Sequence, residues 1–235
     1  MTAGTFRWAD YDGVLFDLDG VITPTAEIHE HAWGELFADF DYTEADYLAY
    51  IDGKPRYDGV RSFLASRDVV LPDGAADDPP GDDTVSALGN RKNNLFNEIL
   101  SRDGIAPYPG SMEVLDHLAA VGVPAAIVSS SKNARPVLAA AGLADRFDIV
   151  VDGIVAAEAG LAGKPAPDGF LLAARQLGTD PSRSVVVEDA VSGVAAGANG
   201  DFAIVIGVDR GAGADTLLAH GATFVVADLD ELANR

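Results

Sequence analysis

The chain has 235 residues, 48% of them apolar, which is enough to bury a sizeable core, and it has no cysteine, which excludes disulfides, thiolate metal sites and a cysteine nucleophile. Its formal net charge of −21 repels nucleic acid and anionic membranes, so an anionic substrate must be held locally by a few basic groups or a metal. The opening stretch MTAGTFRWADYDG shows no signal-peptide pattern and no apolar run reaches membrane-spanning length, so a cytoplasmic protein is expected, with a monomer as the simplest state.

The first expected element is a strand. GVLFDLDGV (13–21) is a short apolar run that ends on two carboxylates, Asp17 and Asp19, and a buried carboxylate is costly unless something positive meets it. From residue 25 to about 103 the pattern becomes helical. AEIHEHAWGELFADF spaces Ile28, Ala32, Leu36 and Phe40 on one face, and TEADYLAYI and ALGNRKNNLFNEILSRDG also read as helices. The polar loop LPDGAADDPPGDD (71–83) separates them. IAPYPG (105–110) then returns the chain to a different regime, in which helices near 110–121, 134–143, 167–178, 190–198 and 213–220 alternate with apolar runs at 123–130, 183–190 and 202–208. Those runs lack polar alternation, as expected of strands buried on both faces of a parallel sheet. The expected fold is α/β: a Rossmann-like, doubly wound parallel sheet formed by 1–23 and 105–235, with a small all-helical cap (24–104) inserted after the first strand.

In such a sheet, ligands bind outside the carboxyl ends of the strands. Four polar clusters fall there: Asp17 with Asp19, Ser129 with Ser130 and Ser131, Lys164 in GKPAP, and Glu188 with Asp189. Acids at two strand ends can hold a hard cation such as Mg2+, which keeps water ligands and a substrate phosphate. Lys164 and backbone N–H groups would add to a phosphate cradle. A carboxylate can also attack phosphorus, and a second acid two residues on can manage the protons. Each cluster has an ordinary alternative. Asp19–Gly20 could turn a hairpin, Ser131 or Asn133 could cap the following helix, Lys164 could be a solvated loop lysine, and Glu188–Asp189 could cap the helix near Ala190. Their order and shared position favour chemistry.

DLDGV, the serine ending the second core strand, GKPAPDGF and VVVEDAVSG resemble, in order, the four motifs of the haloacid dehalogenase superfamily over nearly the whole chain. The resemblance implies Mg2+ dependence and an aspartyl-phosphate intermediate on Asp17, with Asp19 as general acid/base. It implies Ser129 and Lys164 as phosphate contacts, and metal binding through Asp17, the Asp19 carbonyl and Asp189, with Glu188 beside them. Dehalogenases proper lack the acid at position 19, so phosphoryl transfer is implied.

TPTAEIHEHAW is similar to the beta-phosphoglucomutase subfamily, which makes His29 the hinge histidine; its charge, changing near neutral pH, would couple sugar binding to Asp19. Trp33, one turn on, could pack on a sugar face or in the cap core. By the same match the loop with Gly53 carries Arg56 for a substrate phosphate, Lys92 is the cap lysine, and SSSKN contributes Ser130, Ser131, Lys132 and Asn133. Pro24, Asp52 and Gly59 depart from the subfamily pattern, so the choice of sugar stays open. Attack on the aspartyl phosphate by a sugar hydroxyl makes a mutase, attack by water makes a phosphosugar phosphatase, and a silent sugar-phosphate binder would need neither acid.

Overall fold

The computed structural model describes residues 3–51 and 56–235. In chain order its regular elements are β1 (Gly13–Phe16), α1 (Thr25–Leu36), α2 (Glu44–Asp46, running on into a π turn, Tyr47–Ile51), α3 (Arg56–Ala65), α4 (Val85–Asp103), α5 (Pro109–Val121), β2 (Ala125–Val128), α6 (Ala134–Ala140), β3 (Val150–Val151), α7 (Gly153–Glu158), α8 (Asp168–Leu177), β4 (Ser184–Glu188), α9 (Val191–Asn199), β5 (Ile204–Val208), α10 (Ala214–Ala219) and β6 (Phe224–Val226). The chain forms two compact units, one of Met1–Pro24 with Ile105–Arg235 and one of Thr25–Gly104.

The first unit is built on a six-stranded sheet in the order β3-β2-β1-β4-β5-β6, and every pairing is parallel. Val185, Val186 and Val187 are fully buried, as are Val14, Leu15 and Phe16. Side chains pointing to both faces are therefore out of water, and each is worth about 1.5–3 kcal/mol of transfer free energy. That is why these runs show no alternation. Register is set between neighbours: Leu15 pairs with Ala126 on one side and with Val186 on the other. The chain works outward from β1 through β2 to β3, then crosses back to β4, so the strand order reverses at β1. Such a switch point leaves a crevice at the carboxyl ends of the strands on either side.

Two strands are absent from the sequence-based expectation. β3 has two residues and β6 three, too short to show a period, and both are edge strands recognisable only by their partners Ile127 and Ile206. Helix ends follow local chemistry: Pro167 precedes α8, and Gly178 ends it with φ +74°.

The helical unit has its own apolar centre, formed by Trp33, Leu36, Phe37, Ile51, Val60, Phe63, Leu64 and Val85. Phe37 and Phe63 stack with ring centroids 4.1 Å apart. Of the expected face of α1, Ile28, Ala32 and Leu36 are buried, while Phe40 belongs to the 3-10 turn that follows. Residues 56–65, read from sequence only as part of a loop, form α3. Among the described residues no helix is long and apolar enough to cross a membrane.

Candidate active site

β1 ends at Phe16, so Asp17 is the first residue past the central strand at the switch point. Its N–H donates to the Val187 carbonyl at 2.9 Å, which continues the ladder and fixes the start of the turn. The chain then folds back sharply: Ile22 and Thr23 N–H both donate to the Leu18 carbonyl, at 2.9 and 3.0 Å. Asp19 and Gly20 therefore belong to a tight turn after a parallel strand, and the hairpin alternative is excluded. Gly20 has φ +84°, and a Cβ there would lie 2.0 Å from Asp189 Oδ2. Only glycine lets this turn approach the carboxylate that follows β4.

Lys164, on the loop before α8, reaches into the same edge. Its Nζ contacts Asp17 Oδ1, donates to Glu188 Oε1 at 2.6 Å and to the Val128 carbonyl at 3.3 Å. The solvated-loop reading of Lys164 is thereby replaced by a half-buried, paired one. Ser129, directly after β2, donates from its hydroxyl to Asp19 Oδ2 at 3.2 Å and accepts the Ser131 N–H at 3.0 Å. Three strand ends and the loop before α8 thus bring Asp17, Asp19, Ser129, Lys164, Glu188 and Asp189 together.

The electrostatics show a surplus of negative charge. Burial pushes the Asp17 carboxyl well above the ordinary range; Lys164 opposes this, while Glu188, Asp19 and Asp189 add to it. Asp189 is pushed up to about 7, by burial first and by Glu188 next. Burial works against the charge on Lys164, but Asp17 and Glu188 outweigh it and hold the ammonium above its usual range. One lysine does not neutralise this set.

Among the described residues no three imidazole, thiolate or carboxylate groups form a ready-made metal cage. The expected donors, the Asp17 and Asp189 carboxylates and the Asp19 carbonyl, need none. All are oxygens, and a small hard cation is commonly held by one or two carboxylates, with water and substrate oxygens completing its shell. Two carboxylates with raised pKa values have the chemistry that such a cation satisfies, so the residues fit it. Glu188, expected beside them, is engaged on both oxygens: Lys164 donates to Oε1 at 2.6 Å and the Ala190 N–H donates to Oε2 at 2.7 Å, so it also orients the lysine. Gly193 makes that arrangement possible, because a Cβ there would fall 1.6 Å from Glu188 Oε1. The glycine in VEDAVSG was visible in the sequence, but its purpose was not.

The loop after β2 separates four expected residues by exposure. Ser130 and Lys132 are exposed, Ser131 is half-buried and Asn133 is buried. Asn133 sits at the start of α6 but makes no side-chain cap; the Ser131 hydroxyl accepts the Asn133 N–H at 3.0 Å and turns the loop instead. A separate hollow of about 520 Å³, lined by Leu118, Val123, Ile149 and Leu177, lies at the opposite edge, where β2 and β3 begin.

In the helical unit, His29 on α1 lies 2.5 Å (Nδ1 to Nζ) from Lys92 on α4, and its ring stacks on Phe96 with centroids 4.4 Å apart. Lys92, which ordinary expectation would leave in solvent, is 3% exposed, and its ammonium lies 5.2 Å from the Trp33 ring. Arg56 opens α3 and donates to Asn93 Oδ1 at 2.8 Å, a partner the sequence did not suggest. His29 is pushed well below the ordinary histidine range, by burial first and then by Lys92 and Arg56, which favours its neutral form. Trp33 is 4% exposed and stacks on Phe37 at 5.6 Å, which makes it core rather than a sugar-facing platform. Gly53 and Asp52 lie outside the described residues.

The model of the haloacid dehalogenase-like hydrolases matches residues 11–201. A beta-phosphoglucomutase of Mycobacterium bovis is 50% identical, over 93% of this chain and 90% of its own length. Hexitol phosphatase A of Escherichia coli is 32% identical, over 94% and 92%. Among solved structures, a HAD family hydrolase from Deinococcus radiodurans with bound phosphate and sodium is 33% identical, covers 95% of this chain and 94% of its own, and superposes with a TM-score of 0.72.

Proposed function

This chain belongs to the haloacid dehalogenase-like hydrolase family, and on that premise we propose that it is a Mg2+-dependent phosphosugar mutase interconverting β-D-glucose 1-phosphate and glucose 6-phosphate. The observation that carries the reading is the pair of acids on one turn at the switch point, the first touching Lys164 and the second touching Ser129. A binding protein needs neither a nucleophile nor a proton carrier. An enzyme that cleaves and reforms a phosphate ester needs both.

In the first half-reaction an Asp17 carboxylate oxygen attacks phosphorus and the bond from phosphorus to the donor oxygen breaks. Asp19 gives its proton to the departing oxygen. In the second, a hydroxyl of the sugar attacks the aspartyl phosphate, its proton passes to Asp19, and the Asp17 carboxylate is released. Two such transfers, through a sugar bisphosphate, move the phosphate from one position to the other. Lys164 and Ser129 hold the non-bridging oxygens, and Glu188 keeps Lys164 in place. When bound to Asp17, Asp189 and the Asp19 carbonyl, Mg2+ would neutralise the surplus negative charge and let a phosphate dianion approach. The subfamily resemblance assigns Arg56 and Gly53 to the second phosphate, and His29 with Lys92 to the sugar. A neutral His29 acts there as a fixed hydrogen-bonding group.

The second reading, a phosphosugar phosphatase, is supported by the likeness to hexitol phosphatase A. A coupled assay for glucose 6-phosphate, primed with β-glucose 1,6-bisphosphate and run with Mg2+, separates the two. Isomer formation outpacing phosphate release is expected. Phosphate release with no isomer overturns the mutase.

A further inference from the structure

Arg210 lies two residues past the carboxyl end of β5, at the same sheet edge as Asp17, Ser129 and Glu188. Its guanidinium is engaged on several sides. Nε donates to the Gly20 carbonyl at 2.9 Å, Nη1 pairs with Asp228 at 2.7 Å, and Cζ lies 3.9 Å from the centre of the Tyr108 ring. Tyr108 in turn donates its N–H to the Ile22 carbonyl at 2.9 Å. One side chain thus grips the turn that leaves β1 and the segment that re-enters the sheet unit before α5.

The backbone carrying Arg210 is itself held. The Asp209 carboxylate accepts the N–H groups of Gly211 and Gly213, each at 3.0 Å. The grip also has a cost, because Nη2 is buried with no hydrogen-bond partner among the described residues. An arginine serving only solubility would swing that group into water.

On the other side of the contact, Gly20 is pressed against Asp189 and can take no side chain. Its neighbour Asp19 accepts the Ser129 hydroxyl on Oδ2 at 3.2 Å. From outside the four motifs the turn is held by three donors: Arg210 on the Gly20 carbonyl, the Ser111 hydroxyl on the Val21 carbonyl at 2.6 Å and the Tyr108 N–H on the Ile22 carbonyl, and of these the Arg210 bond lies next to Asp19. We infer that Arg210 is a positioning residue for phosphoryl transfer, holding the Asp19–Gly20 turn so that the Asp19 carboxyl stays aimed at the oxygen it protonates. This inference rests on the reading of Asp19 as general acid/base.

The test uses the full-length protein with Mg2+ and compares Arg210→Ala, Arg210→Lys and wild type in two measurements. The first is hydrolysis of an aryl phosphate, which needs no sugar. Misplacement of a catalytic group by about 1 Å costs on the order of 100-fold, so Arg210→Ala should lose roughly 10- to 100-fold in kcat, with KM changed less than about threefold. Lysine can still donate to the Gly20 carbonyl but cannot fork, so Arg210→Lys should fall between the two. The second is hydrogen exchange over residues 17–23, which should speed up in Arg210→Ala while the β4 and β5 peptides stay protected. A kcat within twofold of wild type, or unchanged exchange in the turn, overturns the inference. So does a lysine variant as impaired as alanine. If Arg210→Ala does not fold, Arg210→Lys faces the same criteria with a smaller expected loss. If wild type hydrolyses and isomerises nothing, the functional reading fails by itself, and the exchange measurement alone decides whether Arg210 holds the turn.

Discussion

Replacing Gly193 by Ala sets two well-understood effects against each other. Gly193 lies in the first turn of α9, where alanine favours the helix over glycine by about 1 kcal/mol. On propensity alone Gly193→Ala stabilises the protein. The new methyl, however, would sit 1.6 Å from Glu188 Oε1, 1.9 Å from Cδ and 2.7 Å from Cγ, so the stem collides as well as the carboxylate head. Glu188 is 1% exposed and must move, giving up its bonds to Lys164 at 2.6 Å and to the Ala190 N–H at 2.7 Å. Hydrogen bonds to charged groups contribute about 1.5–3 kcal/mol each, so their loss costs roughly 3–6 kcal/mol. The collision wins, with a net destabilisation of about 2–5 kcal/mol. For a chain of this size that lowers Tm by roughly 4–20 °C. Thermal unfolding of Gly193→Ala beside Ser192→Ala, an exposed neighbour on the same helix expected to change by less than about 0.5 kcal/mol, measures the difference. A Gly193→Ala protein as stable as wild type, with unimpaired turnover, would refute the argument that Glu188 is wedged between Lys164 and α9.

Asp17→Asn should abolish turnover of any phosphate ester while leaving the fold intact, since it removes charge from an over-charged cluster; activity above about one thousandth of wild type counts against the aspartyl-phosphate step. His29→Ala and Arg56→Ala should depress isomerisation at least tenfold more than aryl-phosphate hydrolysis, and equal losses in both assays would remove these residues from sugar recognition. The His29 imidazole, followed by NMR, should titrate well below the ordinary value of about 6.5, and Lys92→Met should raise its midpoint; a midpoint near 6.5 contradicts the burial seen here. With the folded pKa depressed, the unfolded chain binds the proton more readily, so the His29 contribution is present above about pH 6.5 and is lost as pH falls toward the folded pKa. His29→Gln should flatten that acid-side loss, and an unchanged pH–Tm curve would show that other groups cause it.

Much of the sheet unit was legible because its signals are local. Runs such as SVVVE have no polar face, which only a doubly covered parallel strand tolerates, and Asp17, Asp19, Ser129 and Glu188 announce themselves by ending such runs. Lys164 was legible as a member of the motif set, but not as the half-buried partner of both Asp17 and Glu188. β3 and β6 were not legible, because two- and three-residue edge strands exist only through the neighbours they pair with.

The sequence by itself determined the fold class, the family and the chemical kind of site, since periodicity, strand-end acids and motif order survive without coordinates. Tertiary structure decided how the parts work on one another. It made Glu188 a support for Lys164, put Trp33 in the core, set His29 against Lys92, and brought Arg210 to the Gly20 carbonyl from 190 positions away. Each of these depends on burial and on distances between residues far apart in the chain. A linear pattern carries neither quantity, and both set the energy of a buried charge.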